Sequence, residues 1–274
     1  MSKSREIADS TKTLAVDGGT IKLDGNYPVA TNNVALGNAA GSALSTGGFN
    51  TFLGSLAGDA ADTSNSNTAV GYSALSAETK GENSVAIGDN ALKVQNFTVS
   101  TDAYNVAIGA GAGRAVSTGT KNTLMGSRSG DALTEAGSNV AIGESALSSD
   151  TLGSRSVAIG DSALYAQNFT SATDAYNVAV GFSAGNAVST GTENTFIGGL
   201  AGDAITTSNS NVALGKSALS AETTSNGNTA IGAEALRDQN VGGVGDARNT
   251  AVGLLAGANV STGVSNTFLG ALAG

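Results

Sequence analysis

The chain contains no cysteine, no histidine and no tryptophan, and only one proline among 274 residues. Without cysteine there are no disulfide staples and no thiolate metal ligands, and compartment is left undecided. Without histidine as well, the common general-base and nucleophile pairings cannot be built, so no catalytic residue is assigned and enzyme function is not expected. Aromatic residues make up 4% of the chain, too few for an ordinary globular core. No apolar run reaches the ~18 residues of a membrane-spanning helix. The first ten residues, Met1 to Ser10, lack the apolar middle of a secretory signal. A formal charge of −9 with no basic cluster argues against nucleic acid and against anionic membrane surfaces as partners.

What the chain does have is glycine, 39 residues of it, and a short phrase of the form Asn-(Thr/Val)-(Ala/Phe)-(Val/Ile/Leu)-Gly-x-x-Ala that returns throughout. Its glycines are Gly37, Gly54, Gly71, Gly88, Gly109, Gly126, Gly143, Gly160, Gly181, Gly198, Gly215, Gly232, Gly253 and Gly270. Three intervals of 17 residues and one of 21 make a supermodule of 72, which Ser45, Ser117, Ser189 and Ser261 mark independently. A 17-residue period is near the length of one β-solenoid turn. The expected fold is therefore all-β, a parallel β-solenoid (β-roll) of about fourteen coils over residues 33–274. Residues 1–32 are left as an attachment or cap region, in which Lys12 to Asn26, including Thr20 to Leu23, is expected to supply an irregular first strand that covers the open end.

Within each phrase the residue before the glycine is large and apolar, from Leu36 to Leu269, and the residue two before that is β-branched, from Val34 to Thr267. Residues two apart share one face of a strand, so these columns read as one buried face. The column between them reads Ala35, Phe52, Ala69, Ala86, Ala107, Leu124 and so on, with bulk at Phe52, Leu124, Phe196 and Phe268. A strand apolar on both faces must be covered on both. The return segment around Ala40, Ala57 and Ala74 covers one. An association surface is expected on the other, with Phe52, Leu124, Phe196 and Phe268 as its oligomer-interface residues.

Asparagine leads twelve of the fourteen phrases, with Ser84 and Ser156 in the other two, and reads as a hydrogen-bonded turn ladder. Longer turns run from Lys93 to Tyr104, Tyr165 to Tyr176 and Arg237 to Arg248. Four extra residues must bulge from a coil of constant section, so Gln95, Asn96, Phe97 and Tyr104, with Gln167, Asn168, Phe169 and Tyr176, are candidate outward loop residues. An internal clasp over the solenoid is the alternative. No cofactor or metal is expected: there is no complete Gly-x4-Gly-Lys-(Ser/Thr) phosphate cradle, since Gly215-Lys216-Ser217 has Ser210 where the first glycine would stand, and no calcium nonapeptide, and Asp59, Asp131 and Asp203 read as solvated turns. Ice binding is not expected, because Thr51, Thr68, Thr123 and Thr195 share a face assigned to the core.

The phrases Ser84-Val85-Ala86-Ile87-Gly88 and Ser156-Val157-Ala158-Ile159-Gly160 resemble the head repeats of trimeric autotransporter adhesins. That resemblance spans residues 33–274 and implies a left-handed β-roll with three chains side by side; coil length here is longer, and no signal peptide or membrane-anchoring barrel is recognised. The opening Ser4-Arg5-Glu6-Ile7-Ala8-Asp9-Ser10 resembles the start of cyanophage tail-fibre proteins. Together the two imply the shaft of a phage tail fibre, located in the virion. It would be a homotrimer joined through its N-terminus to a tail or baseplate protein and presenting a surface to a host glycan or protein. Fourteen coils at about 4.8 Å make a rod of roughly 65 Å, and the sequence stops partway round a coil at Gly274. A segment of a longer fibre, a head-to-tail extracellular filament and a bacterial trimeric surface adhesin are the readings to separate.

Overall fold

The computed structural model describes residues 32–242 and 245–274. The expected cap at 1–32 lies, but for Asn32, outside the described residues. Fourteen three-residue strands, from Val34–Leu36 to Thr267–Leu269, pair in parallel and in chain order to form one sheet. Each residue pairs with its equivalent in the next coil, Val34 with Thr51 across 17 residues and Val85 with Val106 across 21. No helix occurs among the described residues. The protein is a parallel β-solenoid of about fourteen coils.

Two features of the sequence set this coil. At the end of each strand the glycine has φ near +135°, as at Gly54, Gly71 and Gly143. A Cβ there would fall inside contact distance of the next glycine's carbonyl oxygen, so a side chain is excluded by sterics as well as by backbone conformation. The return path is not a strand: it bends through left-handed residues such as Ser73 and Leu75, at φ 50° and 53°. That conformation costs a non-glycine residue ~1–2 kcal/mol. It is held by bonds to the coils on either side, Ser73 N–H to the Ser55 carbonyl of the coil before and Leu75 N–H to the Ala91 carbonyl of the coil after, both at 3.0 Å.

The core is thin and faces the opposite way from the expectation above. Ala69, Ala86, Ala107, Ala141 and their equivalents point inward and are fully buried, against the alanines of the return path at Ala57, Ala74 and Ala91. Phe52, Leu124 and Phe196 belong to this inner column and expose nothing, and Phe268 packs partly buried against the same core. They are core residues and not an interface between chains. The physical reason is width, since two facing alanines nearly fill the coil.

Bulk enters only where it is compensated. Phe52 lies over Gly41 and Gly58, Leu124 over Gly113 and Gly130, and Phe196 over Gly185 and Gly202. In the coils of Ala69, Ala86 and Ala213 the glycine is replaced by Leu75, Leu92 and Leu219, which fill the same space, whereas the coils of Ala107 and Ala179 keep Gly113 and Gly185 beneath the Leu124 and Phe196 of the next coil. Phe196→Ala is expected to cost about 3–5 kcal/mol, read by denaturant unfolding. Adding Gly202→Leu should recover part of that loss, because Leu219 already adopts the required backbone at φ 55°. No recovery would mean that the two positions do not share one space.

Candidate functional site

With alanine inside, the large residues of the strands point out. The outer columns run from Val34 to Thr267 and from Leu36 to Leu269. Leu36 is 56% exposed, Leu214 42% and Met125 39%, while Val140 and Ile142 at the middle of the sheet are half-buried. None of these strand positions carries a charge, although the chain has 13 basic and 22 acidic residues to place. Thr51, Thr68, Thr123 and Thr195 stand on this outward face, so the ground on which ice binding was set aside does not hold. The adjoining Leu, Ile and Met column favours protein contact, because fully burying one such side chain stabilises by ~1.5–3 kcal/mol.

The edge of the sheet is built by asparagine. Asn50 donates its backbone N–H to Asn33 Oδ1 at 2.8 Å and its Nδ2 to the Ser64 carbonyl at 2.8 Å. Asn67 repeats the pattern on Asn50 Oδ1 and the Gly81 carbonyl. Each buried amide thus ties its own coil to the one before it, which satisfies groups that would be costly to leave unpaired.

The long turns interrupt this ladder and repair it. Ser84 and Ser156 stand where asparagine is expected, and the shorter side chain leaves room for a glutamine. Gln95 Nε2 donates to Ser84 Oγ at 3.1 Å and to Glu78 Oε2 at 2.9 Å, while Gln95 Oε1 accepts from Asn105 Nδ2 at 2.8 Å. Glu78 Oε1 accepts the backbone N–H of Lys80, Gly81 and Phe97. Asp150, Gln167, Ser156 and Asn177 form the same relay 72 residues on, and Glu222, Gln239 and Asn249 a third. The longer coils then pair again with the coil before them, Gly81–Glu82 with Thr101–Asp102 and Gly153–Ser154 with Thr173–Asp174.

Of the candidate outward residues, Gln95 and Gln167 are therefore fully buried, and Phe97 and Phe169 nearly so. They clasp the coil, because an amide with a buried partner at each end is worth more inside than in water. Asn96, Asn168, Tyr104 and Tyr176 are exposed. Arg155 Nη1 donates to Asp174 Oδ2 at 2.8 Å and to the Tyr176 hydroxyl at 2.6 Å, with its guanidinium 5.6 Å from that ring's centre. The clasp carboxylates carry a signal that the sequence does show: an acidic residue or glutamine stands three residues after the return-path leucines Leu75, Leu92, Leu147, Leu164, Leu219 and Leu236, as in Leu75 with Glu78 and Leu92 with Gln95.

Two classes of carboxylate follow. Burial opposes the Glu222 charge, but hydrogen bonds from Ser225, Gln239 and Thr224 outweigh it and hold the carboxyl below its ordinary range. Asp59, Asp131 and Asp203 sit on the opposite flank, where burial raises all three. Among the described residues no group of three or more His, Cys, Asp or Glu is placed to hold a metal. No protein-family model matches the chain, and no similar curated protein or solved structure was found.

The two classes respond to acid in opposite directions. Glu222 contributes stability above the unfolded value of about 4.3, lost as pH falls through its lower folded value. The protection factors of the Thr223 and Ser225 amides, exchange rates corrected for the intrinsic effect of pH, should therefore fall on acidification, and Glu222→Gln should lower them already at pH 7. Asp203 favours the folded state below about pH 3.9 and opposes it as pH rises through its raised folded value. Asp203→Asn should stabilise at neutral pH, with the gain absent in acid; equal melting curves at pH 7 would refute this.

Proposed function

We propose that the chain is a shaft segment of a multi-chain fibre in which three copies meet along their sheet faces, and that the fibre belongs to a virion and presents an adhesive surface to a host cell. The single observation that carries the association is the outward apolar stripe. It is continuous over fourteen strands, uncharged, and covered by nothing among the described residues. Three-residue strands about 10 Å wide, over thirteen spacings of about 4.8 Å, give a face on the order of 600 Å² before side-chain relief. A stable interface needs about 800 Å² per partner, so one such face is close to sufficient and leaves no need for a second chain type. A copy of the same stripe is also the occupant that brings no charge into the contact.

Three chains, rather than two, come from the resemblance of the Ser84 to Gly88 and Ser156 to Gly160 phrases to trimeric adhesin heads. The phage tail-fibre setting comes from the opening segment's resemblance, with the N-terminal region as the attachment to a tail or baseplate protein. The lack of catalytic chemistry in the sequence agrees with a structural part.

Native mass measurement tests this reading. The wild-type chain should give a discrete trimer, and Ile87→Lys with Ile159→Lys should give monomers that keep the β-rich spectrum. Open-ended polymers would replace the shaft by a head-to-tail filament. A wild-type monomer at micromolar concentration would overturn association through the stripe.

A further inference from the structure

The 72-residue period allows the chain to be compared with itself. On the flank beyond the glycine turn most surface positions diverge between supermodules: Leu56, Arg128 and Leu200 are equivalent, as are Tyr72, Glu144 and Lys216. Apart from the alanine at Ala60, Ala132 and Ala204, three positions among them do not change, and all three are polar. They are Asp59 with Asp131 and Asp203, Ser73 with Ser145 and Ser217, and Ser76 with Ser148 and Ser220. The coil itself does not demand these residues, since other coils carry Arg114 or Asn186 at the aspartate position and Asn90 or Leu255 at the first serine position.

The retained trio lines a groove. In the first supermodule it has a volume of about 400 Å³ and includes Tyr72 and Lys93; in the second, about 220 Å³, with Arg128 and Tyr165. Ser73 and Ser145 are 3% and 8% exposed, and no hydrogen bond is made by either hydroxyl among the described residues. Asp59 Oδ1 and Asp203 Oδ1 are buried without a partner. Polar groups left unsatisfied cost stability. Burial raises all three carboxyls, so the same residues oppose folding at neutral pH. Keeping them in every copy points to a use outside the fold.

The groove's chemistry narrows that use. One carboxylate is too few for calcium, which takes 6–8 oxygen ligands. The carboxylate opposes an anion, and Lys93 or Arg128 beside it opposes a cation. What remains is a neutral ligand that both gives and accepts hydrogen bonds and has an apolar face for Tyr72 or Tyr165, which describes a sugar. We propose that the two grooves are subsites for one neutral polysaccharide chain running along the rod, about 19 Å apart. The proposal deepens the adhesive reading and rests on it for its setting, while each groove belongs to a single chain and lies off the sheet face.

The test begins with the intact protein on an array of neutral and acidic glycans, followed by calorimetry with the hexasaccharide of whichever neutral glycan is retained. The triple variant Asp59→Asn, Asp131→Asn, Asp203→Asn should remain folded and lose binding at least tenfold, and Ser73→Ala with Ser145→Ala should weaken it independently. The sheet variant Ile87→Lys with Ile159→Lys should keep the hexasaccharide affinity per chain. Retention of acidic glycans alone, heat of binding from calcium chloride alone, no glycan retained, or full affinity in the triple variant would each overturn the grooves. A monomeric wild type that still binds the hexasaccharide would remove the trimeric shaft and leave the grooves standing.

Discussion

The structure depends on how narrow the coil is. Successive backbones approach so closely at the strand-ending glycines that no side chain fits between them, and the alanine columns facing each other across the coil leave room for little else. Close packing of that kind makes every added methylene felt. It accounts for the chain's composition, since bulk in the inner strand column, as at Phe52 or Leu124, is faced by return-path glycines, and a return-path leucine such as Leu75 is faced by a strand alanine. It also decides which strand face meets the outside. Val, Ile, Leu and Met do not fit the inner column unless glycines face them, as at Leu124, and otherwise stand on the outer one, so the apolar stripe is a by-product of the thin core before it is an interface.

A thin core also buries little area per coil, and the balance is made up by polar bonding along the axis. The asparagine ladder and the glutamine relays are internal, directional and repeated, which fixes register in a way that an alanine core cannot. Each relay places a carboxylate among backbone N–H donors without a cation. That arrangement is tolerable only because Glu78, Asp150 and Glu222 each accept several bonds. The four extra residues of the longer coil serve this end: they bring a glutamine inward at its start and let Thr101 and Asp102 rejoin the coil before it at its end.

Period and strand position were legible in the sequence because the repeated phrase is the strand itself. The direction of its faces was not. Alternation shows that Ala86 and Ile87 point oppositely, but both are apolar, so hydrophobicity has no sign to offer. Size carries the information. Phe52 and Phe196 occur only with Gly58 and Gly202 four residues past the strand's glycine, whereas Ile87 and Ile159 have no such compensation. Residues that must trade volume share a space, and residues that need not are outside it. For the long turns, length showed that something leaves the regular section, but only the pairing of Gln95 with Ser84 and Asn105 shows that the glutamine goes inward while Asn96 goes out.

Acidic residues divide along the same line. Glu222 is inside, fully bonded and held ionised, and the fold is built on it. Asp59 and Asp203 are on the flank, each with a buried oxygen left without a partner, and the fold is weaker for them. Composition alone, which counts both kinds among 22 acidic residues, cannot tell them apart. A solenoid makes the distinction visible because it sets equivalent positions side by side. Where the coil tolerates many residues and one group keeps its identity against its own stability, the constraint lies in what the surface meets.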